Sequence, residues 1–148
     1  MTPELAGVGR FATERQLAAD LAMIQLNVTT LVELTGLLVP GMSERHRGGI
    51  LNVGSIAGYL PGLGQAVYNA TKDFLKSFSQ ALSEETRNTG VRVTALCPGP
   101  VATEFERVAG YPQRTSRNPL MRVSSAAAVA PLDGRGWPRV SRLWCLIC

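Results

Sequence analysis

Three side chains in the middle of the chain have the types and spacing needed for proton transfer. Tyr68 and Lys72 lie four residues apart, so on a helix they project from one face, and Ser55 precedes Tyr68 by thirteen residues. Lowering the pKa of a phenol from about 10 to about 7 requires about 4 kcal/mol of preference for the phenolate. An ammonium ~5–6 Å away supplies about 3 kcal/mol at an effective dielectric constant of ~20. We therefore predict that Lys72 lowers the pKa of Tyr68, and that Ser55 hydrogen-bonds the oxygen that exchanges the proton.

The elements that must hold these residues follow from hydrophobic periodicity. We predict buried strands at residues 50–53 and 91–96, long helices at 13–42 and 65–88, and a glycine- and proline-rich loop at 58–64. The first helix has Thr13 as its cap and is weakened near Pro40. Its apolar residues recur at three- and four-residue steps and form a single stripe. The stripe consists of Leu17, Leu21, Ile24, Val28, Leu31, Leu34 and Leu38.

These motifs together resemble the short-chain dehydrogenase/reductase family. The likeness rests on Ser55 within NVGSIAG, on the spacing of Tyr68 and Lys72, and on PGPVAT at residues 98–103, all in the family's order. It extends over about residues 5–109. It implies an α/β fold, namely a partial Rossmann-like doubly wound parallel sheet that lacks its first βαβ units. The implied reaction is hydride transfer between NAD or NADP and a carbonyl or an alcohol.

The resemblance also implies a role for each catalytic residue. Tyr68 would be the general acid and base, and Lys72 would lower its pKa and hold the nicotinamide ribose. Ser55 would position the carbonyl oxygen. Asn27 would hold a water molecule that links the lysine to solvent. The alternative for Asn27 is a polar residue that simply faces solvent.

The family pattern further implies contacts with the cofactor and the substrate. The implied cofactor-binding residues are Ala6, Gly7, Tyr68, Lys72, Pro98, Gly99, Val101 and Thr103. Glu4 and Leu5 stand where the family has asparagines, so only the two residues after them carry over. Thr103 also caps a helix predicted at 103–108. By the same resemblance the substrate site is lined by Tyr59, Leu60 and Leu63, with cover of the sheet as the alternative.

The charge of the chain is unevenly divided. Residues 1–109 contain nine Lys or Arg and ten Asp or Glu, whereas residues 110–148 contain six Arg and one acidic residue, Asp133. The basic character belongs to the end of the chain and does not indicate nucleic-acid binding by the folded part. We predict a partial catalytic domain at 1–109 and a divergent, poorly ordered basic tail at 110–148. The tail has a faint helical pattern at 118–129 and no strand pattern.

Composition restricts the cellular setting and the other kinds of site. Three cysteines, two of them within the last four residues, do not make a disulfide framework, which favours a reducing, cytoplasmic location. No run approaches the ~18 consecutive apolar residues of a membrane span, so we expect no membrane association. Because His46 is the only histidine, we expect neither a metal site nor a histidine-based triad. The expected partner is a small-molecule substrate.

The family's adenosine-binding βαβ unit has no counterpart before Ala6, which leaves three hypotheses open. The chain is a truncated oxidoreductase that retains the catalytic half. Alternatively, it is a non-catalytic relative that pairs with a complete subunit, or with itself, through helices 14–42 and 65–88. The third hypothesis is a mis-bounded reading of a longer gene.

Overall fold

The computed structural model describes residues 8–102, 124–125 and 143–146. Its helices are α1 (Leu17–Ile24), α2 (Thr30–Glu44) and α3 (Ala66–Glu85). Its strands are β1 (Gly48–Val53), β2 (Val91–Pro98), β3 (Val101–Ala102), β4 (Ser124–Ser125) and β5 (Leu143–Leu146). A π-helical turn, Gln25–Thr29, joins α1 to α2, and a 3-10 turn, Ile56–Tyr59, follows β1.

The main sheet is parallel and has the order β1-β2-β5. β1 and β2 pair from Gly48 opposite Val91 to Val53 opposite Leu96. β2 is the central strand, and five consecutive residues, 93–97, are buried, as expected for a parallel strand covered on both faces. β3 and β4 form a separate two-stranded parallel pair. The predicted fold class, a partial parallel sheet with helices packed on it, is confirmed.

The end of the chain differs from the prediction. No strand was expected there, yet β5 pairs in parallel with β2, from Leu143 opposite Ala95 to Leu146 opposite Pro98. The segment is only four residues long and lies among arginines, so no local periodicity marked it as a strand. The faint helix at 118–129 is also wrong at Ser124–Ser125, which is a strand. The helix predicted at 103–108 lies outside the described residues, and the division at residue 109 stays a prediction.

The first helix begins later than predicted because a turn precedes it. The backbone N–H groups of Thr13 and Glu14 both donate to the carbonyl of Arg10, and the Arg10 N–H donates to Glu14 Oε2 at 2.9 Å. Thr13 therefore belongs to the turn and is not a cap. Gln16 occupies the N-cap position without a side-chain cap bond. At the other end, α2 continues through Pro40 to Glu44.

The continuous stretch Leu17–Glu44 is long and apolar enough, by length and composition only, to cross a membrane. It has 28 residues, its most apolar window has a mean hydropathy of 1.5, and 11% of that window is buried. Two polar contacts connect the stretch to the rest of the fold: Asp20 pairs with Arg15, and Asn27 bonds Thr71 on α3. The absence of membrane association stays a prediction.

α3 packs on the sheet and against α1 and the π-helical turn, while α2 contacts β1 and β2 directly. One buried cluster joins Leu75 on α3 to Ala95 and Cys97 on β2, with Leu31 of α2 against it. Asn52 of β1 donates to Ser79 Oγ on α3 at 2.9 Å, a buried hydrogen bond between strand and helix. The helix that carries the predicted proton-transfer residues is therefore fixed to both β1 and β2.

The predicted apolar stripe of the first helix does not face the core. Val28 and Leu31 are half-buried, whereas the other five members of the stripe are exposed. The residues of this stretch that are buried are Asp20, Met23 and Thr35. The stripe forms an outer apolar face of the described chain.

Candidate active site

Tyr68 and Lys72 lie on one face of α3, next to the carboxyl ends of β1 and β2. Tyr68 is 7% exposed and packs with Met23 of α1, with Ala57 and Val67 around them. The Lys72 ammonium lies 5.8 Å from the centre of the Tyr68 ring. The i,i+4 spacing thus produces the side-by-side arrangement that the sequence predicts.

Ser55 is positioned by the sharp exit of the chain from β1. Gly54 donates its N–H to the Leu96 carbonyl at 2.7 Å, and a Cβ at this residue would lie 3.0 Å from Cys97 Sγ. The small residue lets the chain turn tightly beside β2. Ser55 Oγ then accepts the N–H of Ala57 at 3.1 Å and caps the 3-10 turn. Ser55 also hydrogen-bonds the Tyr68 side chain, so these two groups share one site.

The two titratable groups of the site respond mainly to burial. Burial raises the pKa of Tyr68 above its usual value because it disfavours the phenolate, and the hydrogen bond with Ser55 lowers this pKa by less. Burial also lowers the pKa of Lys72, while the nearby Cys97 raises it. The predicted lowering of the Tyr68 pKa is therefore not found in the described chain. Desolvation of the phenolate outweighs the attraction to the Lys72 ammonium that was expected from the sequence.

Lys72 retains donors that a bound molecule can use. Its Nζ donates to the Val53 carbonyl at 3.3 Å, and this is its only hydrogen bond among the described residues. An ammonium carries three N–H donors. Two of them are thus available beside Tyr68, which fits the vicinal hydroxyls of a ribose. The site is compatible with the nicotinamide end of a dinucleotide.

Asn27 lies in the π-helical turn and points toward α3. Its Nδ2 donates to Thr71 Oγ1 at 3.2 Å, and that hydroxyl donates to the Tyr68 carbonyl at 2.8 Å. Asn27 is half-buried, which contradicts the alternative of a purely solvent-facing residue. Its predicted role as the holder of a relay water stays a prediction.

The loop that carries the predicted substrate-lining residues is tied to α3 at two points. Asn69 Nδ2 donates to the Leu60 carbonyl at 2.6 Å. Lys76 Nζ donates to the Gly58 carbonyl at 2.8 Å and lies 4.3 Å from the centre of the Tyr59 ring. Lys76 and Asn69 were missed as site residues. The only feature of the sequence that could have indicated them is their spacing on α3. Asn69 lies three residues before Lys72 and Lys76 lies four residues after it, so all three are on one face of the helix.

The three predicted lining residues differ in exposure. The Tyr59 ring contacts the Lys76 ammonium. Leu60 is exposed, and Leu63 is almost fully exposed, at 96%. Covering the sheet is thus not the role of Leu63. Contact with a substrate stays a prediction for all three.

The remaining cofactor-binding candidates divide into two groups. Pro98, Gly99 and Val101 are half-buried at the carboxyl end of β2, where ligands of doubly wound sheets bind. Val53 and Leu96 are opposite each other in the sheet register, so this end lies beside Ser55. The candidates Ala6, Gly7 and Thr103 lie outside the described residues.

Comparisons with known proteins agree with this geometry. The family model described as short chain dehydrogenase matches residues 5–112. The human very-long-chain 3-oxoacyl-CoA reductase is 39% identical over 113 residues, which are 76% of this chain and 36% of that protein. The NADP-dependent 3-hydroxy acid dehydrogenase of Salmonella typhi is 47% identical over 87 residues, 58% of this chain and 35% of that protein.

Solved structures give the same result. A short-chain dehydrogenase from Sphingobium yanoikuyae in complex with NADPH superposes with a TM-score of 0.81 at 28% identity. The match covers 94% of this chain and 52% of that one. The chain spans about a third of the length of the curated relatives just described. It belongs to the short-chain dehydrogenase/reductase family.

Proposed function

We propose that the chain carries the catalytic half of an NAD(P)-dependent oxidoreductase that interconverts a carbonyl and an alcohol. The observation that supports this most is the hydrogen bond between Ser55 and Tyr68, with the Lys72 ammonium 5.8 Å from the same ring. These groups meet where two parallel strands end, which is the usual ligand position in this kind of sheet. The names of the two relatives, a 3-oxoacyl-CoA reductase and an NADP-dependent 3-hydroxy acid dehydrogenase, also describe the interconversion of a carbonyl and an alcohol.

Each residue has a distinct part in the proposed reaction. Tyr68 gives its phenolic proton to the carbonyl oxygen during reduction and takes it back during oxidation. Ser55 hydrogen-bonds the same oxygen and keeps it within reach of the phenol. Asn27 connects Lys72 to solvent through a water molecule, so that the tyrosine can be reprotonated. A bound nicotinamide would supply or accept the hydride.

The cofactor would be held mainly by backbone and by Lys72. The Lys72 ammonium would donate to the ribose hydroxyls, and its charge would then favour the phenolate of Tyr68. The residues that would contact the cofactor are Ala6, Gly7, Tyr68, Lys72, Pro98, Gly99, Val101 and Thr103. Tyr59, Leu60 and Leu63 would form the apolar side of the substrate site. The cytoplasm remains our predicted location.

Cofactor affinity tests the proposal most directly. The purified chain is titrated with NADPH and with NADH while cofactor fluorescence is recorded, and submillimolar binding is expected for one of them. Lys72→Met removes the proposed ribose donors and should weaken binding, whereas Arg87→Met, at an exposed position just beyond the end of α3, should not. Equal binding by both variants would contradict the assigned role of Lys72.

Turnover tests the role of the phenol. In a chain that reduces a carbonyl substrate, Tyr68→Phe should abolish turnover and should weaken cofactor binding much less than Lys72→Met does, because the ring is kept and only the hydroxyl is lost. Undiminished turnover by this variant would remove Tyr68 as the acid and base.

A second candidate function is pairing with another subunit through the long helices. It is favoured by five leucines on the α1–α2 stretch that are more than half exposed: Leu17, Leu21, Leu34, Leu37 and Leu38. Such a surface is typical of an interface between chains. Light scattering should then give the mass of a dimer for the chain, and Leu37→Glu should shift it toward the monomer. A wild-type monomer that also fails to associate with a full-length relative would contradict this function.

A further inference from the structure

The loop at 58–64 runs back along α3, and two of its glycines lie directly against the helix. A Cβ at Gly58 would lie 2.7 Å from the backbone C and O of Lys72, and a Cβ at Gly62 would lie 2.5 Å from Asn69 Nδ2. As the loop advances by four residues, its contact moves three residues toward the start of the helix. Neither contact leaves room for a methyl group, so the loop follows α3 as closely as a backbone can.

Asn69 holds this loop with its side-chain amide. The residue is 8% exposed, and its Nδ2 donates to the Leu60 carbonyl at 2.6 Å. The same amide packs on Gly62, where an added Cβ would also lie 3.0 Å from Asn69 Cγ and 3.1 Å from Oδ1. The amide therefore cannot turn away from Gly62 without losing its bond to Leu60.

The contact connects the loop to the turn of α3 that carries Tyr68. Asn69 is the next residue after Tyr68, and consecutive side chains of a helix point about 100° apart. Tyr68 hydrogen-bonds Ser55, whereas Asn69 bonds the loop. The side chain of Leu60 remains 59% exposed although its carbonyl is held. The bond thus fixes the backbone of the loop and leaves its apolar side chain accessible.

We propose that Asn69 is a positioning residue for the substrate. By holding the Leu60 carbonyl, it places the apolar side chains of the loop at a set distance from Tyr68 without taking part in proton transfer. This role rests on the proposed oxidoreductase function, in which the loop is one wall of the substrate site. It adds a residue that selects the substrate through the placement of that wall.

Hydrogen exchange tests the hold on the loop and requires neither cofactor nor substrate. Asn69→Asp keeps the shape of the side chain and replaces the Nδ2 donor by an acceptor. Exchange at 59–63 should then accelerate by about tenfold, while exchange in β2 stays within about twofold of wild type. Gln80→Glu makes the same chemical change at an exposed position of α3 and should leave the loop unchanged. Wild-type protection of the loop in Asn69→Asp would overturn the proposal.

Two substitutions made singly and together test whether Asn69 and Gly62 act as a unit. Gly62 has no positive φ, so the obstacle to Gly62→Ala is the Asn69 amide that its methyl group meets. Gly62→Ala should accelerate exchange of the loop in the wild-type background. In the Asn69→Ala background, which has space for the methyl group, it should add no further acceleration. Additive effects of the two substitutions would show that the residues act separately and would overturn the proposal.

Kinetics separate positioning from a part in the reaction. In a chain that reduces ethyl acetoacetate with NADPH, Asn69→Asp should raise KM several-fold and change kcat by less than about twofold. A loss of kcat at unchanged KM would place Asn69 in the chemical step and overturn the positioning role. A chain that fails to bind NADPH would contradict the proposed function alone, because the exchange measurements still decide whether Asn69 holds the loop.

Discussion

The two long helical stretches of the chain use their side chains in opposite ways. α3 buries Tyr68, Leu75 and Ser79, and the Ser79 hydroxyl accepts from Asn52 of β1 and donates to the Leu75 carbonyl of its own helix. The α1–α2 stretch is longer but buries only Asp20, Met23 and Thr35, and it exposes most of its apolar residues. α3 is therefore an integral part of the core, whereas the other stretch is attached through a few contacts and presents an apolar outer face.

Truncating one leucine in each region gives the largest expected difference. Leu75→Ala removes a buried side chain beside Ala95 and Cys97 and should lower the free energy of unfolding by about 3 kcal/mol. Leu37→Ala makes the same change at a position that is 78% exposed and should alter it by at most about 0.5 kcal/mol. Urea unfolding measures both. Equal losses would mean that the outer face is part of the core.

A pair of glycine substitutions probes how closely other elements approach the two stretches. A Cβ at Gly58 would lie 2.7 Å from the backbone C and O of Lys72, so Gly58→Ala should cost on the order of 2 kcal/mol. Gly36 of α2 has no atom within 4 Å of such a Cβ. Gly36→Ala should therefore stabilise the helix by roughly 0.5–1 kcal/mol. A destabilised Gly36→Ala would contradict the open face of α2.

Removing one charge on α3 tests the attachment of the substrate loop. Lys76→Met loses the charged hydrogen bond to the Gly58 carbonyl, the contact with Tyr59 and a partly exposed ion pair with Asp73, and should cost about 1.5 kcal/mol. Arg87→Met loses only an exposed ion pair with Glu84 and should cost at most about 0.5 kcal/mol. Hydrogen exchange at Tyr59 and Leu60 should accelerate in the first variant alone. Unchanged exchange there would exclude Lys76 as a loop anchor.

The smallest expected effects appear at high pH. Lys72 has a pKa below 10.5 in the folded chain and about 10.5 in the unfolded chain. Between its folded and unfolded pKa, the unfolded chain holds a proton that the folded chain has lost. The free energy of unfolding therefore rises with pH in this range. The pKa of Tyr68 lies above 10.0, so the folded chain keeps its proton longer and the free energy of unfolding falls as pH passes 10.0. Urea unfolding from neutral pH to pH ~11 should show that Lys72→Met loses the rise and Tyr68→Phe loses the fall. If the two variants follow the wild-type curve, burial does not control these groups.

Local patterns were sufficient where one residue spacing determines the geometry. The i,i+4 pair on α3 and the two apolar strands follow from short-range rules, and the structure brings Ser55, Tyr68 and Lys72 together. The sign of the Tyr68 pKa shift did not follow. It depends on how deeply Met23 and Val67 bury the ring, and this is a property of the assembled fold.

Long-range partners explain the other differences. Thr13 looks like a helix cap, but Glu14 and Arg10 close a turn around it. The strand Leu143–Leu146 has no local pattern, because its pairing with β2 defines it. The sequence gives Lys76 the character of a solvent-facing lysine, because its hydrogen-bond partner, the Gly58 carbonyl, is 18 residues away in the chain.

The π-helical turn at Gln25–Thr29 sets the rotational phase of everything that follows it. Each residue of an α-helix advances the direction of its side chain by about 100°, so the extra residue of a π-turn reorients all of α2 relative to α1. Deleting one residue in 25–29 would restore a regular helix and swing Thr35, the one buried residue of α2, away from the protein interior. Changes of length are thus far more disruptive in this helix than changes of side chain.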